Sequence, residues 1–136
     1  MAFVYEKVKE EDWELYNSFL PNEKADRHTR WVADRERNIY FFWIGGEIRE
    51  SIYEYFLAWD DLKIYIYIVE KMYKDNEDRR NAHIWINSIS LPKVLSDNDN
   101  KVKEIVETIK VALQMQYTNE IIFEEVAEPS FRKGDN

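Results

Sequence analysis

Cysteine is absent from this chain, which removes disulfides, thiolate zinc sites and a cysteine nucleophile at once. Its absence also fits a reducing compartment. Glycine and proline number three each, so the 136 residues have little material for linkers and predict regular elements joined by short loops. Histidine occurs only at His28 and His83. Neither has an HxH or HxxxH companion, so no histidine metal site is spelled out. No uninterrupted apolar run exceeds the six residues of 39–44 and 64–69, far short of a bilayer-spanning helix. The first segment becomes charged at Glu6 and has no signal-peptide core. These absences predict a cytoplasmic location. A basic stripe is missing too. Arg27, His28 and Arg30 are followed by Arg35 and Arg37, with Asp34 and Glu36 interleaved. The net charge is −8, and acidic residues exceed basic ones in both halves. Direct nucleic-acid binding is therefore disfavoured, whereas a basic macromolecular partner is electrostatically welcome.

What the chain does have is aromatic, alternating sequence. Residues 30–91 hold four of the five tryptophans and keep a two-residue apolar rhythm, the signature of β-strands. Strands are predicted at 3–8, 30–34, 38–44, 47–59, 62–73, 82–91 and 120–126. A short helix is predicted at 10–19, with Trp13, Tyr16 and Leu20 at helical spacing. A second helix follows the capping-rich 96–100 and runs to about Gln116, with Val102, Ile105, Val106, Ile109, Ala112 and Leu113 on one stripe. The expected fold class is α+β: one antiparallel sheet of six or seven strands, strongly twisted or a half-barrel, with an N-terminal and a C-terminal helix packed on it. Residues 1–126 form the single domain and 127–136 a flexible tail.

Two turns set the expected register. Closing a hairpin at Asp60-Asp61 pairs Trp59, Leu57, Tyr55 and Tyr53 with Leu62, Ile64, Ile66 and Ile68, a core face. The opposite face then pairs Ala58 with Lys63, Phe56 with Tyr65, Glu54 with Tyr67, Ile52 with Val69 and Glu50 with Lys71. Closing a second hairpin at Gly45-Gly46 sends Tyr40, Phe42 and Ile44 to the core face. It sends Ile39, Phe41, Trp43 and Ile48 to the opposite one. Both sheet faces are then apolar. The second is either buried, by the first helix, by sheet curvature or by a second copy of the chain, or it is a recognition surface of aromatic anchors punctuated by carboxylates. On the second reading the partner-binding residues are Phe41, Trp43, Glu50, Glu54, Tyr65 and Tyr67. The acidic run Glu120, Glu124 and Glu125 adds an electrostatic lure, unless it is only the charged guard of a sheet edge.

Catalytic motifs do not accompany this pattern. Gly45-Gly46 belongs to no phosphate loop, and no GxSxG is present. The DNDN run at 97–100 lacks the glycine and distal glutamate of a calcium loop, and helix capping accounts for it. Neighbouring carboxylates arise without purpose among 27 acidic residues. No catalytic residue, cofactor or metal is assigned.

The segments WVADRERNIYFFWIGGE, YEYFLAWDD and KEIVETIKVAL, taken with the order of strands and helices, resemble small acidic bacterial immunity proteins of toxin–immunity systems. The resemblance lies in size, charge and element order over nearly the whole chain, and it transfers no individual residue. It implies a cytoplasmic, non-enzymatic protein that neutralises a basic partner such as a toxin domain by steric occlusion; a monomer and a homodimer through the second face are both compatible with the sequence. The alternative is a small-molecule-binding or enzymatic α+β domain with a pocket lined by tyrosine and tryptophan.

Overall fold

A computed structural model describes residues 3–47 and 51–133. The strands are β1 (Val4–Lys7), β2 (Arg30–Asp34), β3 (Ile39–Glu47), β4 (Ile52–Trp59), β5 (Leu62–Lys74), β6 (Arg80–Leu91), β7 (Ile122–Val126) and β8 (Ser130–Phe131). The helices are α1 (Trp13–Phe19), entered through a 3-10 turn at Glu10–Asp12, and α2 (Asp99–Gln114). All eight strands join one sheet, in the order β1-β2-β3-β4-β5-β6-β7, with β8 also on β6.

The expected wholly antiparallel sheet of six or seven strands is incorrect. The sheet is mixed, because β7 and β8 both run parallel to β6. Helix α2 causes this. It carries the chain back along the sheet after β6, so the next strand enters in the same direction, as in any strand–helix–strand crossover. Residues beyond 126, expected to be a flexible tail, continue beside β6. Ser90 and Leu91 pair with Ser130 and Phe131, and Arg132 donates to the Ser90 carbonyl at 2.7 Å and the Lys63 carbonyl at 2.6 Å.

The Asp60-Asp61 hairpin forms in the expected register, from Trp59 opposite Leu62 to Ile52 opposite Val69. Asp60 takes φ +53°, a left-handed conformation that aspartate tolerates better than most residues. The Gly45-Gly46 turn does not form. Strand β3 runs through both glycines, which pair with Glu54 and Tyr53, and its register shifts at a bulge between Trp43 and Gly45. The glycines serve that irregularity. Gly46 has φ +147°, and a Cβ there would lie 2.2 Å from the Ile52 carbonyl oxygen. The chain therefore reverses later, between Glu47 and Ile52, which shifts the β3–β4 pairing by an odd number of residues. Each side chain of β3 before the bulge moves to the face opposite the expected one. Phe41 now pairs with Leu57, and Phe42 with Phe56. Ile48 and Glu50, with the proposed Glu50–Lys71 pair, lie outside the described residues.

Two cores result. On one face α2 buries Ile105, Ile109, Ala112 and Leu113 against Ile64, Ile66, Ile68, Ile84, Ile86 and Ile89, joined by Phe41 and Leu57. Burying each such aliphatic side chain is worth about 1.5–3 kcal/mol. The Asn98 side chain caps α2, accepting from the Lys101 N–H at 3.1 Å. On the other face α1 and the loop after it cover Trp31, Tyr40, Phe42, Phe56 and Ala58 with Trp13, Tyr16, Phe19 and Leu20. Tyr16 packs on Phe42 with ring centroids 4.5 Å apart. Arg35 ties this layer down, reaching both Glu6 and Asp12 at 2.9 Å. No helix among the described residues is long and apolar enough to cross a membrane.

Candidate functional site

Two features remain after these cores are accounted for. The first is a sheet face that no helix covers among the described residues. Strand alternation turns Ile64, Ile66 and Ile68 towards α2, so Tyr65, Tyr67, Val69, Lys71 and Tyr73 face the other way. On β6 the same alternation, interrupted by a register shift near Tyr67, presents His83 and Trp85; on β7 it presents Ile122, Glu124 and Glu125. Helix α1 reaches only as far as Tyr65. Beyond it none of these residues is buried.

The polar groups of this face are organised. His83 Nδ1 lies 2.6 Å from Glu124 Oε2, and the His83 ring meets Tyr73 edge-on at 4.7 Å. Lys71 Nζ stands 5.6 Å over the Trp85 ring. Burial raises the Tyr67 phenol pKa, and the Glu54 carboxylate opposite it adds to the rise. Arg132 closes one end, 5.2 Å over the Tyr65 ring. Aromatic anchors alternate here with charges of both signs, and the two exposed carboxylates of β7 stand at its margin.

The second feature is a cleft of about 570 Å³. Strands β2 and β3 pair only where 32–34 face 39–41. Beyond that point Trp31 and Arg30 pair with β1 alone, and β3 continues against β4. The cleft opens where that pairing ends. Tyr5, Arg30 and Trp31 line it from β1 and β2, Trp43 and Ile44 from β3, Tyr53 and Tyr55 from β4, and Gln116 from the end of α2. Tyr16, Glu23, Asp26 and His28 line it from α1 and the following loop. Burial pushes the Tyr16 phenol up to about 12, with the charges of Glu23 and Asp26 adding to the rise. Tyr55 is likewise raised by burial, then by the Glu70 charge. The Asp26 carboxyl is held below its usual range by the His28 backbone N–H, which donates to it at 2.7 Å.

The proposed recognition residues thus divide. Glu54, Tyr65, Tyr67, Glu124 and Glu125 share the uncovered face or its margin. Phe41 does not: it is fully buried in the α2 core, stacked on Tyr55 at 4.9 Å. Trp43 lines the cleft, and Glu50 lies outside the described residues. Glu120 is exposed in the loop before β7 rather than on the strand. His83 and Trp85 were not selected by the sequence pattern, because their partners are 41 residues away in Glu124 and across the β5–β6 register shift in Lys71. The cleft was not localised either, since its walls come from four strands, α1 with the loop after it, and the end of α2. Among the described residues no group of three or more His, Asp and Glu side chains is arranged to hold a metal ion. Compared with protein-family models, with curated proteins and with solved structures, the chain matches none.

Proposed function

We propose that this protein binds another protein through the uncovered face of β4–β7, as an immunity or inhibitor protein that occludes a basic partner such as a toxin domain in the cytoplasm. The observation that carries this reading is the bare face itself. Tyr67 is 44% exposed and Ile122 45% exposed, beside a half-buried Trp85, on a sheet whose other face is sealed by α2. Rigid aromatic anchors among charged groups are the composition of binding hot spots. The net charge of −8 and the β7 carboxylates supply long-range attraction for a basic surface. The tagged protein is recovered from its native lysate and its partner identified, then binding is measured for Glu54→Ala, Tyr67→Ala and the double variant Glu124→Lys/Glu125→Lys. Each Ala change is expected to weaken the complex by about 1–2 kcal/mol with little loss of stability. The Lys pair is expected to slow association and reduce its salt dependence. Full-strength binding by all three variants, or a partner that docks elsewhere, rejects the proposal.

A further inference from the structure

The cleft between β2 and β3 is separate from the partner face and has its own chemistry. Its walls are mostly aromatic, and its loop-side lining carries the carboxylates of Glu23 and Asp26. Trp43 is 48% exposed there and makes no ring or cation contact among the described residues, although the chain elsewhere pairs cations with rings freely. Lys101 Nζ sits 3.5 Å from the centre of Trp59. Within the cleft, the Arg30 guanidinium already lies 5.5 Å over Tyr5, so one aromatic lining residue holds a cation in the structure as it stands. That contact leaves Trp43 without a cation among the described residues. Burial first, and then the charges of Glu23 and Asp26, raise the pKa of the Tyr16 phenol, which lines the same cleft.

We infer that this cleft is a binding site for a small organic cation, a methylated ammonium on a short apolar body, with Trp43 as the ring that takes the cation and Glu23 and Asp26 as its long-range counter-charges. Three observations select this class. A volume near 570 Å³ suits a small molecule rather than a lone side chain. Ring faces attract an ammonium that has no hydrogen bonds to donate. An anion would meet two lining carboxylates, while the one guanidinium among the described lining residues is already placed over Tyr5.

The test titrates the full chain with choline and with its neutral isostere 3,3-dimethylbutan-1-ol, following ¹H–¹⁵N spectra. Choline is expected to give saturable shifts at the Trp43 indole N–H and at the backbone of 29–31 and 42–45, with about tenfold tighter binding than the isostere. Trp43→Ala, at a half-exposed position, should abolish the preference for choline. Glu23→Gln should weaken choline about two- to fivefold and leave the isostere unchanged. Equal binding of the two ligands overturns the inference, as does an absence of saturation by choline. Shifts centred on Tyr67 and Trp85 overturn it too, and they would locate the ligand on the partner face instead.

Discussion

The face of the sheet that carries α1 is two regions with opposite fates. Over β2–β4, Tyr40, Phe42 and Phe56 are 5%, 2% and 0% exposed beneath α1. Over β5–β6, Tyr67 and Tyr73 on the same face are 44% and 48% exposed, with no helix among the described residues packed above them. Aromatic content does not separate the two. Charge does. The covered half has no buried ionised group among the described residues: its buried cluster is valine, alanine, tryptophan, tyrosine and phenylalanine. The bare half interleaves its rings with Glu54, Lys63, Lys71, His83 and Glu124, which a helix could not cover without stripping their water. An aromatic stripe is therefore core where its neighbours are apolar and surface where they are ionised.

The sharpest way to break that contrast is a matched pair of truncations. Phe42→Ala should cost about 3–5 kcal/mol of stability, as expected for a fully packed ring, while Tyr67→Ala should stay within about 0.5 kcal/mol. Denaturant midpoints measure both, and equal losses would mean that the bare half is covered in solution. A smaller effect is expected at the irregularity of β3. Gly46→Ala should cost about 1–3 kcal/mol, because its Cβ would meet the Ile52 carbonyl, whereas Gly45→Ala has open space and should be near neutral. Thermal unfolding of the two variants distinguishes a strained bulge from a simple turn, in which both would suffer.

Asp34, opposite Ile39 on the α2 side of β2, is the only buried carboxylate among the described residues. Burial raises its pKa, but hydrogen bonds from the Arg37 side chain and backbone outweigh that and leave it below the ordinary 3.8. A carboxyl lowered by folding stabilises the protein above its unfolded pKa, and that contribution is lost as pH falls through the folded value. Asp34→Asn should therefore cost about 1–3 kcal/mol at neutral pH. The gap from the parent protein should close below pH 3.8. The alkaline limb tests the other side. Tyr16, Tyr55 and Tyr117 are all raised above 10.0, first by burial; for Tyr117 the bond it donates to Glu70 adds to the rise. Raised phenols favour the fold below pH 10 and lose that advantage as pH climbs through the folded values. Stability should decline from about pH 10 to beyond 12, with phenolate absorbance appearing late.

Much of the architecture was legible because it is local. The β4–β5 register follows from Asp60-Asp61 and a two-residue period that one slip would ruin. The α2 stripe follows from a 3.6-residue period, and its start from Asn98. The Gly45-Gly46 pair misled for a physical reason: glycine is required both by tight turns and by close backbone approach, and residue type alone does not distinguish them. The parity error that followed moved Phe41 from a proposed recognition surface into the core.

The amino-acid sequence by itself determined seven of the eight described strands, the two helices, the β4–β5 pairing and the acidic character, because each depends on neighbours a few residues apart. Only the tertiary structure decided that β7 and β8 run parallel to β6, that His83 meets Glu124, and that β2 leaves β3 to open an aromatic cleft. Those outcomes depend on how far a helix carries the chain and where pairing stops. Both are settled by packing between residues tens of positions apart, which leaves no periodic trace.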